Sequence, residues 1–183
     1  MSCRPHLSLL LLVVLGALVI RCGGDPDGHS DSALRLTSSA FGSGEPIPAV
    51  YTCDGEDLTP PLRWETVPPG AASLALVLKD PDAPGETFVH WLVANIPAEI
   101  AEHPRGWSPT ANSGTVVGRN DFGDEAYAGP CPPPSHDAHT YEFSIFALDV
   151  LLDLDDGFRL PDLEEAMEGH TIARGALSAE YDR

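Results

Sequence analysis

Basic residues are scarce in this chain. Lysine occurs once, at position 79, and the 10 basic residues stand against 28 acidic ones, so the formal net charge is −18. Phosphate backbones and anionic lipid headgroups attract basic surfaces. The composition therefore argues against a nucleic-acid-binding protein and against attachment to a membrane through a polybasic patch.

The chain also lacks the short motifs of several enzyme classes. It has no Gly-x-Ser-x-Gly nucleophile elbow, no P-loop and no dinucleotide-binding fingerprint. Ser135 and His136 are adjacent, but neighbouring side chains of an extended segment point in opposite directions. No pair of residues therefore resembles an activated nucleophile with its base.

The residues that are present suit a single, mainly β domain. A length of 183 residues corresponds to about one domain, and the 43% of hydrophobic residues suffice for a packed core. The 17 glycines and 18 prolines favour a loop-rich β protein over a helical bundle.

The N-terminus, residues 1–22, is typical of an export signal. Arg4 precedes an apolar stretch, Leu7–Ile20, whose 14 residues are too few for a membrane-spanning helix but suit the core of a signal peptide. The segment that ends at Cys22 resembles a bacterial lipoprotein box, with Cys22 as the lipidated residue. Arg21 departs from that pattern, because a small residue is expected before the cysteine. Ordinary cleavage nearby and an uncleaved anchor are the alternatives.

These features predict an exported protein, either periplasmic or held at a bacterial membrane only by its N-terminal lipid. Residues 23–33 are rich in Gly, Asp and Ser and are predicted to form a flexible tether, followed by one domain over residues 34–183. Removal of residues 1–21 leaves 28 acidic and 8 basic residues, and thus a net charge near −20.

Two cysteines belong to the predicted domain. Cys3 lies in the signal and Cys22 at the processing site, which leaves Cys53 and Cys131 as an even pair in an oxidising compartment. A disulfide between them is predicted, and two buried free thiols are the alternative.

Five strands and one helix are predicted in the domain. Apolar runs predict strands at residues 34–41, 47–52, 73–79, 88–96 and 140–148, and a proline and a glycine bound a short helix at 161–168. Residues 172–181 suit either a helix or a strand. Residues 103–135 have few signs of regular structure, and His103 is predicted to lie in an exposed loop. Together the elements predict an antiparallel β-sandwich with a few short helices.

Polar residues at the ends of the strongest strands form a candidate site. If strands 73–79 and 88–96 form a hairpin, Asp80 lies close to residues 88–90 and thus to His90. Alternation along the last strong strand puts His139 and Tyr141 on one face. The four residues would then converge at one end of the sheet, beside a proline-rich loop at 129–134.

Two chemistries fit such a cluster. Histidine N–H groups and a tyrosine hydroxyl can bind the oxygen atoms of phosphate or of a carboxylate, with Asp80 orienting one of the histidines. Two histidines and an aspartate are also a common set of metal ligands. The alternative is that each polar group is satisfied separately and that no pocket exists.

Four blocks of sequence carry a family resemblance. They are Tyr51–Gly55 with Thr59–Leu62, Asp80–Pro84, Phe88–Trp91 with Asn95–Pro97, and Asn120–Gly123 with Gly129–Pro133 and His139–Tyr141. Together they resemble the phosphatidylethanolamine-binding protein family, in particular its bacterial branch of Raf-kinase-inhibitor-like proteins. The resemblance covers residues 34–183.

This resemblance implies a β-sandwich with a small anion pocket at one end. In the family this pocket takes phosphate, phospho-headgroups, acetate and similar anions. The resemblance implies no catalytic residue, no metal and no cofactor. Carried to this chain, the ligand-binding residues are Asp80, Asp82, His90, His139 and Tyr141, with the backbone of Gly129, Pro130 and Pro132. Thr140 stands where an arginine is usual, which removes a guanidinium near the mouth. Some bacterial relatives pair, so a homodimer is also expected.

The favoured hypothesis is therefore a non-catalytic protein that binds a small anion and modulates a partner protein. A second hypothesis is a protein-interaction module that acts through the pocket rim, as a protease or kinase inhibitor does. A third is a hydrolase or lyase that uses Asp80, His90 and His139.

Overall fold

Two antiparallel β-sheets form the body of the molecule in the computed structural model, which describes residues 34–110, 113–134 and 136–183. The predicted signal peptide, the lipidation residue Cys22 and the tether at 23–33 lie outside the described residues. The elements are strands β1 (Arg35–Ser38), β2 (Leu62–Glu65), β3 (Ser73–Asp80), β4 (Phe88–Pro97), β5 (Glu102–His103), β6 (Val116–Val117), β7 (His139–Leu148) and β8 (Thr171–Tyr181), and helix α1 (Leu160–Met167). In this part of the chain, no helix has the length and apolarity needed to cross a bilayer.

The smaller sheet has the strand order β1-β2-β5 and the larger sheet the order β6-β4-β3-β7-β8. All neighbouring strands in both sheets are antiparallel. This arrangement confirms the predicted β-sandwich, and α1 lies within one residue of the predicted helix. Because β3 occupies the centre of the larger sheet, all but one of its eight residues are buried.

The core lies on both faces of the larger sheet. Strand β7 alternates between buried and half-buried residues, so that one of its faces packs against the smaller sheet. There Phe143 joins Trp64 and Trp91 in the principal core. The opposite face of the larger sheet packs against α1, where Leu92 of β4 and Leu163 of the helix belong to a second core. With both faces covered, the larger sheet provides a rigid support for side chains at its ends.

The predicted strand at 47–52 is wrong, because residues Ala49–Tyr51 form a turn of 3₁₀-helix. Pro48 lacks an N–H group for a sheet, and its carbonyl instead accepts a hydrogen bond from Tyr51 N at 2.9 Å. The strand predicted at 34–41 is shorter than expected and ends at Ser38. There the Ser38 hydroxyl accepts a hydrogen bond from Ala40 N, which turns the chain away from the sheet.

The segment 172–181, for which the sequence left two alternatives, is part of strand β8. It pairs along the whole of β7, from His139 opposite Tyr181 to the far end of the strand. Gly175 lies on β8, the edge strand of the larger sheet, at the point where the backbone of Leu34 crosses it. A Cβ atom on residue 175 would collide with the Leu34 carbonyl. Only glycine permits this close backbone approach.

His103 is not in an exposed loop, as predicted, but is 4% exposed in the short strand β5. Its ring stacks on Trp107 with centroids 3.5 Å apart and meets the edge of Trp64 at 4.8 Å. Pairing of β5 with Leu62 holds the backbone against the core. Burial lowers the pKa of His103 to about 4, so the ring is neutral at neutral pH.

Candidate functional site

Three strands bring polar residues to one end of the larger sheet. Asp80 is the last residue of β3, His90 is the third of β4, and His139 is the first of β7. Because β3 is antiparallel to both neighbours, its end lies beside their beginnings. The three side chains line one cavity of about 170 Å³, together with Ala83, Pro84, Phe88, Phe122, Cys131, Pro132 and Pro133.

Asp80 and His139 form a buried pair. The Nδ1 atom of His139 lies 2.8 Å from Oδ2 of Asp80, and each side chain is 5% exposed. An ionised carboxylate only accepts hydrogen bonds, so Nδ1 of His139 carries the proton. The predicted orientation of a histidine by Asp80 is thus observed, and the histidine concerned is His139.

His90 is held by the backbone. Its Nδ1 atom lies 2.8 Å from the carbonyl oxygen of Ala128, which can only accept, so Nδ1 donates the hydrogen bond. The side chain is buried, and burial lowers the pKa of His90. The ring is therefore neutral near pH 7, with its lone pair on Nε2.

The Nε2 atoms of these two rings have no hydrogen-bond partner among the described residues. Both rings line the cavity, and His90 and His139 are only 2% and 4% exposed as whole residues. Two fixed imidazoles that line the same small cavity, each with one unpartnered nitrogen, form a candidate ligand site.

Two residues predicted to bind the ligand through their side chains, Asp82 and Tyr141, do not line the cavity. Asp82 is exposed, and its Oδ2 atom accepts a hydrogen bond from Thr140 N at 2.8 Å, which lowers the pKa of Asp82. Tyr141 is fully buried, and its hydroxyl has no hydrogen-bond partner among the described residues. Burial raises the pKa of Tyr141 far above its usual range. Asp82 fastens the loop after β3 to β7, and Tyr141 packs edge-on to His90 with ring centroids 5.3 Å apart.

The proline-rich loop divides into an anchor and a wall. Gly129 N donates to Asp57 Oδ1 at 2.8 Å, and the Pro130 carbonyl accepts from Cys53 N at 3.2 Å, so these two predicted residues anchor the loop rather than line the cavity. Pro132 lines the cavity as a wall residue. The predicted disulfide between Cys53 and Cys131 is present and fixes the wall to the turn that follows the 3₁₀-helix.

An aromatic pair at the cavity was not predicted. The rings of Phe88 and Phe122 meet edge-to-face with centroids 4.7 Å apart, and Phe122 also contacts the His90 ring at 5.6 Å. Phe122 is 51% exposed. Phe88 lies two residues before His90 on the same strand face, which strand alternation could have revealed. Phe122 belongs to the irregular segment, where no periodicity indicates which side chain faces the site.

Acidic residues predominate on the loops that supply the cavity wall. The three loops that supply cavity residues, at 81–87, 119–126 and 129–138, carry six exposed acidic side chains: Asp82, Glu86, Asp121, Asp124, Glu125 and Asp137. Arg119 is the one lysine or arginine in these segments of the sequence, and it is paired with Glu125. These loops therefore carry a net negative charge, which disfavours a multiply charged anion relative to a singly charged one, and Arg183, whose Nη1 atom lies 3.4 Å from Cys131 Sγ, is itself paired with Asp54.

Comparison with known proteins gives a consistent result. A family model described as "Phosphatidylethanolamine-binding protein" matches residues 37–182. A UPF0098 protein of Pyrococcus horikoshii is 42% identical over 183 residues, which cover 98% of this chain and 92% of that protein.

Solved structures resemble this chain as well. A homologue of phosphatidylethanolamine-binding protein from Chlamydia trachomatis has a TM-score of 0.77 at 38% identity, covering 83% of this chain and 99% of that one. The E. coli protein YbcL, described as a new member of the mammalian PEBP family, has a TM-score of 0.77 at 30% identity. That match covers 82% of this chain and 98% of YbcL.

Proposed function

Because this chain belongs to the phosphatidylethanolamine-binding protein family, we propose that it is a non-catalytic binding protein whose cavity holds a small anion. Phosphate, a phospho-headgroup and a carboxylate are the ligands that fit the proposal. The observation that carries it is the pair of unpartnered Nε2 atoms on the buried rings of His90 and His139. Each nitrogen can form one hydrogen bond to a ligand oxygen atom.

The composition of the cavity wall supports binding rather than catalysis. Among the described residues of the wall, Cys131 is the one side chain of the hydroxyl or thiol type, and its sulfur is bonded to Cys53. The Asp80–His139 pair resembles the base of a hydrolase, but no described hydroxyl or thiol lies on the wall to be activated by it.

We also propose that the protein is exported and attached to the membrane through a lipid on Cys22. The apolar stretch Leu7–Ile20, the box that ends at Cys22 and the disulfide between Cys53 and Cys131 support this location, because disulfides persist in oxidising compartments.

A second function, contact with a partner protein, is favoured by Phe122. This aromatic ring is 51% exposed at the cavity and lies among acidic side chains. Aromatic side chains in such positions are typical anchors of protein interfaces. Replacement of Phe122 by alanine would then abolish capture of a partner, and an anion bound in the cavity would displace that partner.

A thermal-shift titration tests the anion proposal. The purified protein is titrated with phosphate, phosphorylethanolamine and acetate, beside the His139→Ala variant. A ligand at about 100 times its dissociation constant stabilises the folded state by roughly 2.7 kcal/mol. The expected result is a saturable rise of the melting temperature that is absent in the variant. A rise of equal size in the variant would show that the anion binds elsewhere.

A further inference from the structure

We propose that the cavity binds its anion together with one proton, and that its preferred ligands are small weak acids that carry an apolar substituent. This inference rests on the proposed function, because it concerns the same cavity. Three independent observations support it: the fixed orientation of two imidazole rings, the charge of the surrounding loops, and the apolar character of the wall.

The first observation is the position of the ring protons. In both His90 and His139, Nδ1 lies 2.8 Å from an oxygen that accepts its hydrogen. A neutral imidazole carries one N–H, so each neutral ring presents a hydrogen-bond acceptor at Nε2. Two acceptors cannot bind a fully deprotonated anion. Either the ligand retains an O–H that donates to Nε2, or Nε2 takes a proton from solvent and donates to the ligand.

A free carboxylate carries no proton near neutral pH, so in both cases its complex holds one proton more than the free protein and the free carboxylate together. The groups around His139 allow that proton to reside there. Asp80 is hydrogen-bonded to the His139 ring and supplies a compensating negative charge, and Asp82 interacts electrostatically with His139 from the neighbouring loop. The centroid of the His136 ring lies 5.6 Å from that of His139. His90 has Asp80, Asp57 and Tyr141 near it, but its ring is deeply buried and is hydrogen-bonded to neutral backbone rather than to a carboxylate. The hydrogen-bond partner of His139 is thus a carboxylate and that of His90 is a neutral carbonyl.

The second observation is the charge of the loops that line the cavity. They carry six exposed acidic side chains, and Arg119, their one lysine or arginine, is paired with Glu125. Such surroundings oppose a dianion more strongly than a monoanion, and they leave a neutral acid unaffected. The charge thus selects the same protonated form of the ligand as the ring orientation does.

The third observation is the wall itself. Besides Asp80 and the two histidines, it consists of apolar side chains, among them Phe88, Phe122 and Pro132. A phosphate ion or an acetate ion leaves most of this surface without a partner. An aryl or alkyl substituent would pack on the two phenylalanine rings while the acid group binds Nε2.

Isothermal titration calorimetry of the purified protein tests the inference. Benzoate, acetate and phosphate are titrated between pH 5.5 and 7.5, each in two buffers with different heats of ionisation, so that proton uptake is measured directly. We expect about one proton taken up per benzoate bound, and an affinity that falls by up to tenfold per pH unit on the alkaline side. We also expect benzoate to bind more tightly than acetate.

Three variants sharpen the test. Phe122→Ala is expected to weaken benzoate more than acetate. His139→Gln, which cannot take up a proton, is expected to reduce the proton count. Leu151→Ala removes an apolar side chain that is 69% exposed away from the cavity, and it is expected to change neither quantity.

The outcomes separate the two proposals. If benzoate and acetate bind without proton uptake, or if benzoate binds no more tightly than acetate, the inference of this subsection is overturned while the proposed function stands. If no anion binds at any pH, the proposed function fails and this inference fails with it.

Discussion

The carboxylate of Asp80 holds the ring of His139, with Oδ2 and Nδ1 2.8 Å apart, although 59 residues of sequence separate the two. The other carboxylate oxygen accepts a hydrogen bond from Asp82 N at 2.9 Å. Asp80 therefore fixes both a histidine on the cavity wall and the first turn of the loop that follows β3.

Replacement of Asp80 by alanine is expected to lower the free energy of unfolding by about 3 kcal/mol, because it leaves a buried imidazole N–H without an acceptor. Urea denaturation measures the loss. Asp149→Ala is the matched control, since Asp149 also pairs with a histidine, His170, but the two side chains are 47% and 44% exposed. That variant is expected to lose less than about 1 kcal/mol. Equal losses in the two variants would contradict the structural role given to Asp80.

His103 is expected to make stability depend on pH. Its pKa is about 4 in the folded protein against 6.5 in a free side chain. Below the higher value the unfolded chain binds the proton and the folded protein does not, so stability falls as the pH falls. The loss between pH 7 and pH 5 is expected to be about 2 kcal/mol.

His103→Phe keeps an aromatic ring against Trp107 and removes the titration. The difference in unfolding free energy between these two pH values should therefore shrink in that variant. His170→Gln, at a side chain 44% exposed, serves as the control. An unchanged pH dependence in His103→Phe would exclude His103 as its source.

The disulfide between Cys53 and Cys131 closes a loop with a sequence separation of 78 residues. In the chain-entropy model such a cross-link stabilises the fold by roughly 4 kcal/mol. We expect the double variant Cys53→Ser, Cys131→Ser to lose about this amount in urea denaturation, and to bind anions more weakly because Cys131 is part of the cavity wall. A dithiol reductant should have the same effect on the wild-type protein and none on the double variant.

Cys22 is expected to carry the lipid. Cys22→Ser should move the protein from the detergent phase to the aqueous phase in a phase-partition experiment, because it removes the thiol that would be modified. Cys3→Ser, a change of the same chemistry in the same N-terminal segment, should leave partition unchanged. Aqueous partition of the wild-type protein would instead favour ordinary cleavage of the signal.

The sequence predicted the strands of the larger sheet because their apolar runs are long. Residues 73–79, 88–96 and 140–148 differ from β3, β4 and β7 by one residue at the ends. The same periodicity placed His139 and Tyr141 on one face, and both are buried there. Strand alternation predicts the face on which a side chain lies but not how deeply it is buried, so it could not show that Tyr141 lies behind the cavity wall.

Other contacts depended on information that local patterns do not contain. The contact of Asp80 with His139 depends on β7 lying beside β3, which is a matter of strand order. Phe122 reaches the cavity from an irregular segment that is tied to β4 by a hydrogen bond from Val89 N to Asp121 Oδ2. The proline after His103 predicts an exposed loop, whereas two tryptophan rings enclose the His103 side chain.

The crossing of Leu34 over β8 determines at which end of the larger sheet the N-terminal segment joins the domain. Leu34 N donates to the Arg174 carbonyl, and Arg174 pairs with Phe146, whereas the cavity lies at the end where Tyr181 pairs with His139. Seven residue steps along β7 separate these two points, a distance of about 23 Å. A lipid at Cys22 would therefore be joined to the domain at the end remote from the cavity, and the tether would not have to pass the cavity mouth.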